Sequence, residues 1–201
     1  MKYLFLLSVL ALVACTTTAP KIEPIEDADL AWEKRKSYLY QHSEWVAHLS
    51  LVGVTEQEKF KTRIIWQQRQ DGYQIKLRDF IGRTVALIEG TPDKVVVKTS
   101  KGERYEDRNA ETLIYGLFGL RIPVAGMRYW LRGVPQPDAE YIDLLLRADG
   151  LAQNMSQSGW QLSYQNYADQ VPVRLPTRAV FEYQDLALTV NVARWDLAAS
   201  Q

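Results

Sequence analysis

Apolar and polar residues alternate along most of this chain. His48 to Val54 places Leu49, Leu51 and Gly53 on one face. Phe60 to Gln67 groups Phe60, Thr62, Ile64 and Trp66, and Tyr73 to Arg78 alternates without a fault. Thr84 to Glu89 and Lys94 to Thr99 are two further short β-rich runs. Asp71-Gly72, Gly90-Thr91-Pro92-Asp93 and Lys101-Gly102 separate these runs as turns. Because alternate side chains of a strand point to opposite faces, each run predicts a strand with one buried face.

Two stretches depart from period two. Residues 29–44 are rich in Lys, Glu, Gln and Ala and predict a first helix capped by Asp29. In the middle, Asn109 can cap a helix whose Leu113, Ile114, Leu117 and Phe118 fall at helical spacing up to Gly119. Pro123 can open a second short helix over residues 124–131, ended by Gly133, with Val124, Met127, Trp130 and Leu131 on one face. Strands resume over residues 141–147, 150–157, 160–167, 178–183 and 186–194. The fold class is therefore mainly β with a helical insertion, an antiparallel meander closing toward a barrel or sandwich.

The N-terminus has another texture. Lys2 precedes an apolar run that ends in Leu12-Val13-Ala14-Cys15, the layout of a bacterial secretory signal. The run is too short to span a bilayer, which takes about 20 residues. Its last four residues resemble a lipobox, which implies a thioether-linked diacylglycerol on Cys15, cleavage before it and an acyl group on the freed amine. The expected organisation is a signal peptide over residues 1–14, a lipidated flexible tether over 15–29 and one domain over 30–201. The tether holds Pro20 and Pro24 and lacks large apolar clusters, so it cannot repay the entropy of ordering. Thr16, rather than Asp, follows the cysteine, which favours an outer-membrane address facing the periplasm. Cys15 is the sole cysteine, so the fold must hold without an internal disulfide.

Charge and motifs then remove whole classes of function. Basic and acidic residues balance at 24 each, so no electrostatic footprint for nucleic acid exists. His42 and His48 are the only histidines, and no cysteine remains for a metal site or a nucleophile. Neither a Gly-x-Ser-x-Gly elbow nor a phosphate-binding glycine loop is present. The chain reads as a non-enzyme with no metal and no cofactor beyond the lipid on Cys15, acting as a monomer.

What stands out is apolar. Between two strands lies Asp79-Phe80-Ile81-Gly82-Arg83, where turn chemistry calls for Gly, Asn, Asp or Ser. Burying a side chain such as Ile or Phe is worth about 1.5–3 kcal/mol, so two of them on a tip need a reason. Either the loop enters a membrane interface with Arg78 and Arg83 near phosphates, or it is an inward strand end within the core.

The order of further motifs resembles a known family, the outer-membrane lipoprotein receptors called LolB. The resemblance runs through Trp45, Trp66-Gln67-Gln68, Phe80-Ile81-Gly82, Leu120-Arg121-Ile122-Pro123-Val124 and Trp130-Leu131-Arg132-Gly133-Val134-Pro135. It continues through Gln157-Ser158-Gly159-Trp160-Gln161-Leu162-Ser163-Tyr164 to Leu175-Pro176. It implies an incompletely closed antiparallel barrel with a helical lid. It also implies a receptor that takes an acylated lipoprotein from a soluble periplasmic carrier, without ATP, and inserts it into the inner leaflet of the outer membrane. The implied partners are that carrier, the acylated cargo and outer-membrane phospholipid. The protruding loop residue of the family matches Ile81. Where many members carry Pro-Leu-Gly, this chain has Phe80-Ile81-Gly82. Where many carry Gly-Arg after the first tryptophan, it has His48-Leu49, so no role passes to that position.

A carrier of acyl chains must surround them with apolar side chains. The candidate lining is Leu51, Ile64, Trp66, Ile75, Leu77, Leu87, Val96, Leu113, Leu117, Trp130, Leu145, Leu162 and Tyr164. Two other readings are a lipoprotein that carries free lipid or glycolipid, and a scaffold lipoprotein of the envelope.

Overall fold

A computed structural model describes residues 27–169 and 173–197. Cys15, the signal peptide and nearly all of the tether lie outside the described residues. Among those described, eleven strands and three helices form one continuous antiparallel sheet with helices set against it. No described helix is long and apolar enough to cross a membrane.

The first helix, α1 (Ala28–Gln41), starts one residue earlier than expected. Its cap is Asp27, whose carboxylate accepts from the backbone N–H groups of Asp29 (3.0 Å) and Leu30 (3.1 Å), two of the orphan donors of a helix start. Asp29 sits in the first turn instead. Six strands follow: β1 (Trp45–Val54), β2 (Lys59–Arg69), β3 (Gly72–Arg78), β4 (Thr84–Thr91), β5 (Lys94–Thr99) and β6 (Arg104–Asp107). The insertion holds α2 (Ala110–Phe118) and α3 (Val124–Trp130). The chain returns as β7 (Tyr141–Leu146), β8 (Ala152–Gln157), β9 (Trp160–Tyr167), β10 (Pro176–Tyr183) and β11 (Leu186–Leu197).

The spatial order is β6-β5-β4-β3-β2-β1-β11-β10-β9-β8-β7. The two free edges are therefore β6 and β7, which are consecutive in sequence. The helical insertion connects one open edge to the other, so the barrel stays unclosed. Both edge strands lack a continuous buried face: β6 is exposed throughout, and β7 is broken by a register shift between Ile142 and Leu145. The inner strands carry the alternation read from sequence, with Trp45, Ala47, Leu49, Leu51 and Gly53 all buried on β1. Gly53 pairs with Phe60 across the sheet, and the Phe60 ring lies where a Cβ on Gly53 would stand. A side chain at residue 53 would have to displace that ring.

The core has an aromatic middle. Trp45 packs beside Trp66 and Trp195, and Trp130 beside Trp160 and Phe181. Among the described residues the buried core runs from Trp32 to Trp195. A chain starting at Thr16 keeps all of these residues and is expected to fold without the first fifteen.

Candidate functional site

Under α2 and α3 the core is not filled. A cavity of about 440 Å³ opens between the helices and strands β1 to β4. Ligand pockets commonly span roughly 300–1,000 Å³. Its floor comes from inward positions of adjacent strands, among them Leu49, Leu51, Ile64, Trp66, Ile75, Leu77 and Ile88. Its roof is Ile114 and Phe118 of α2 with Val124 and Met127 of α3. The roof exists because α2 is well formed. Asn109 caps it through Thr112 N–H at 3.0 Å, and Gly119 ends it in the left-handed conformation with φ 70°. Charge is confined to Glu58, Lys61, Arg78 and Asp79.

Asp79 begins the loop that projects beside this cavity. Its carboxylate accepts from the N–H groups of Ile81 (3.1 Å) and Arg83 (2.9 Å) and from Arg83 Nε (2.7 Å). Residual desolvation works against that charge. Hydrogen bonds from the side chain and backbone of Arg83, with its positive charge, outweigh it and hold the Asp79 carboxyl below the usual aspartate range. Gly82 turns the chain back with φ 91°. The staple leaves Phe80 83% and Ile81 60% exposed. These side chains point to solvent, so the inward-strand-end reading of the loop is wrong. Val85 and Phe118, which also line the cavity, are exposed as well.

Five of the residues read from sequence as lining do face this cavity: Leu51, Ile64, Trp66, Ile75 and Leu77. Leu87 and Val96 do not. Each sits half-buried between buried neighbours, Ala86 and Ile88 or Val95 and Val97, so period two turns both to the other face of the sheet. Leu113 and Leu117 are half-buried on α2, one position out of phase with Ile114 and Phe118, which hold the roof. Leu145 is exposed on edge strand β7, where the register shift breaks alternation. Leu162, Tyr164 and Trp130 are fully buried away from the cavity. Trp130 Nε1 donates to Gln157 Oε1 at 2.7 Å and Tyr164 Oη to Trp130 O at 3.0 Å, which locks them into packed core. Sequence reasoning missed Leu49, Ile88 and Val190 as lining, although each shares the phase of a buried neighbour two residues away.

No group of three or more His, Cys, Asp or Glu side chains gathers among the described residues in a way that would hold a metal ion. The site is an apolar container with a stapled apolar tip.

Residues 43–195 match the family model described as outer membrane lipoprotein LolB. The outer-membrane lipoprotein LolB of Aeromonas salmonicida (strain A449) is 31% identical over 189 residues, covering 94% of this chain and 93% of the relative. That of Alkalilimnicola ehrlichii is 30% identical over 192 residues, covering 96% and 94%. Among solved structures, a LolA superfamily protein from Nitrosomonas europaea superposes with a TM-score of 0.55 at 10% identity, covering 87% of this chain and 94% of that chain. A domain assigned to outer-membrane lipoprotein sorting in Vibrio parahaemolyticus gives 0.51 at 8% identity, covering 87% and 95%. The two structural likenesses are of fold alone.

Proposed function

The chain belongs to the outer-membrane lipoprotein LolB family, and from that membership we propose that it is a receptor and insertase for other lipoproteins. It takes the acyl chains of a lipoprotein from a soluble periplasmic carrier into its apolar cavity. It then releases them into the inner leaflet of the outer membrane, to which its own acylated Cys15 and a tether ending before the Asp27 cap of α1 hold it. Binding is non-covalent and needs no ATP.

The observation that carries this reading is the unfilled apolar cavity flanked by exposed Phe80, Ile81, Val85 and Phe118. Exposing an acyl chain to water costs about 0.8 kcal/mol per CH₂, so a chain in transit must always be enclosed. A cavity next to an apolar tip can pass the chain to a bilayer without that exposure. Direction then requires only tighter binding here than on the carrier, and about 1.4 kcal/mol gives a tenfold bias.

Mixing the chain from Thr16 onward with a carrier loaded with acylated lipoprotein tests the proposal. Cargo is expected to move to this protein at equimolar ratio and without nucleotide. Cargo that stays on the carrier would overturn the receptor reading. Equal uptake of free phospholipid would favour a general lipid carrier.

A further inference from the structure

A second cavity, of about 320 Å³, lies beside the tip and sets a row of polar side chains among apolar ones such as Leu49, Ile65 and Val192. Its polar lining is His48, Ser50, Arg63, Arg78 and Asn191, with Gly82 of the tip loop on its rim. The register builds it. Asn191 of β11 pairs with Ser50 of β1, Ser50 with Arg63 of β2, and Arg63 with Arg78 of β3, so four strands line up these polar residues in one row. A bulge between His48 and Leu49 leaves Ala193 as an extra residue and interrupts the ladder at the same place.

Two arginines directly opposite each other repel, and a sheet gains nothing from such a pair by itself. Among the described residues neither Arg63 nor Arg78 has a carboxylate partner, whereas their neighbours do. Arg83 is bound to Asp79 at 2.7 Å, and Arg194 to Asp196 at 3.1 Å. Asp79 pairs with Arg83 and makes no ion pair with Arg78. The Arg78 guanidinium folds back to within 4.0 Å of the Cβ position of Gly82. Asn191 Oδ1 already accepts from Arg178 Nη1 at 2.8 Å, which leaves its amide nitrogen as a donor. The row therefore offers guanidinium, hydroxyl and amide donors, a set suited to phosphate oxygens.

We infer that this pocket binds the phosphate of an anionic phospholipid headgroup and so seats the tip on the bilayer. The inference rests on the receptor reading for its context and adds a lipid site to it. The cargo anchor, a diacylglyceryl cysteine, carries no phosphate. A phosphate site next to the acyl cavity therefore serves the destination membrane and not the cargo. Geometry agrees, because Arg78 borders both cavities while Phe80 and Ile81 project from the loop between Arg78 and Gly82. An apolar tip with cations at its base matches the layering of a membrane interface.

The test uses the chain from Thr16 onward, which has no lipid anchor of its own, and measures its sedimentation with vesicles. Partition onto phosphatidylcholine vesicles holding about one-third phosphatidylglycerol is expected to exceed that onto phosphatidylcholine alone. The double variant Arg63→Gln/Arg78→Gln loses that preference, by about twenty-fivefold if each cation near the anionic surface contributes about fivefold. Lys34→Gln/Lys101→Gln removes two exposed charges outside the pocket and is expected to change partition less than about threefold. Three results would overturn the inference: an arginine variant that partitions like wild type, a lysine variant that loses as much, or binding of inorganic phosphate by a chain that shows no preference for the anionic vesicles. The last would assign the pocket to free phosphate. Cargo transfer from the carrier is measured without vesicles, so its failure removes the receptor reading and leaves this result standing.

Discussion

Arg35 and Arg132 each hold the backbone of the segment that carries the other. Arg35 Nη2 donates to Arg132 O at 2.6 Å, and Arg132 Nη1 donates to Leu39 O, one turn beyond Arg35 on α1, also at 2.6 Å. Arg35 further binds Gly133 O and Arg174 O, and Arg132 binds His42 O and Arg128 O. The pair ties α1 to the segment after α3 through carbonyls alone. Neither guanidinium has a carboxylate partner among the described residues, although Arg132 is only 1% exposed. Burial lowers the Arg132 pKa to about 10, which leaves it charged at neutral pH.

Replacing Arg132 with Met should therefore destabilise the domain by about 2–4 kcal/mol, because charged hydrogen bonds are lost and the last carbonyls of α1 are left buried. In a thermal melt this is a fall of about 5–15 °C for a domain of this size. Arg35→Met/Arg132→Met should cost less than the sum of the single changes, since each arginine works on the other's segment. Additive losses would show that the two act separately.

Ile81→Glu separates delivery from acceptance. The side chain is exposed, so the melt should stay within about 2 °C of wild type. Cargo should still move from the carrier, because the loop staple and the cavity are untouched. Insertion into liposomes should fall by at least tenfold, since a carboxylate is costly to place among acyl chains. Wild-type insertion by this variant would remove the tip from the mechanism.

Asp79 supports the tip from below. Asp79→Ala removes three acceptor contacts from the loop and should slow insertion while leaving acceptance and the melt nearly unchanged. The pH dependence has a definite sign. The folded carboxyl titrates below its ordinary value of 3.8, so the staple is fully present above 3.8 and fades as pH falls through the lower folded value. Insertion measured between pH 7 and 5 should therefore show no pH dependence from Asp79. A loss in that window would point to another group.

Much of this was legible in the chain itself. Period two locates the inner strands, Asn109 and Gly119 bracket α2, and Phe80-Ile81 is conspicuous at a turn. The failures have physical causes. Strand β6, Arg-Tyr-Glu-Asp, has no buried face and so no periodic signal. Leu87 and Val96 are apolar but out of phase, and hydrophobicity alone does not report phase. Arg63 and Arg78 lie fifteen residues apart in sequence and meet only through cross-strand register. Arg35 and Arg132 look like surface charges, because nothing local tells a cation that carbonyls from distant loops await it.

The anchor is tested by Cys15→Ala. Palmitate label incorporated by the wild-type chain in cells should be absent from the variant, which should remain unprocessed at that site. Equal labelling of the two chains would sink the assignment of Cys15.

Leu77→Trp tests whether the cavity is a container or a loosely packed core. Leu77 is half-buried, pairs with Ile64 across β2 and β3, and faces the cavity. An indole there extends into open volume rather than into packed neighbours. Overpacking a filled core costs about 1–3 kcal/mol, so a container predicts a melt at or above wild type and a core predicts a clear loss. Transfer from the carrier should drop by about tenfold, equivalent to about 1.4 kcal/mol of lost acyl binding. Leu87→Trp is the matched control, because the same indole on the opposite face leaves the cavity open. If Leu77→Trp accepts cargo as well as Leu87→Trp does, acyl chains do not occupy this cavity.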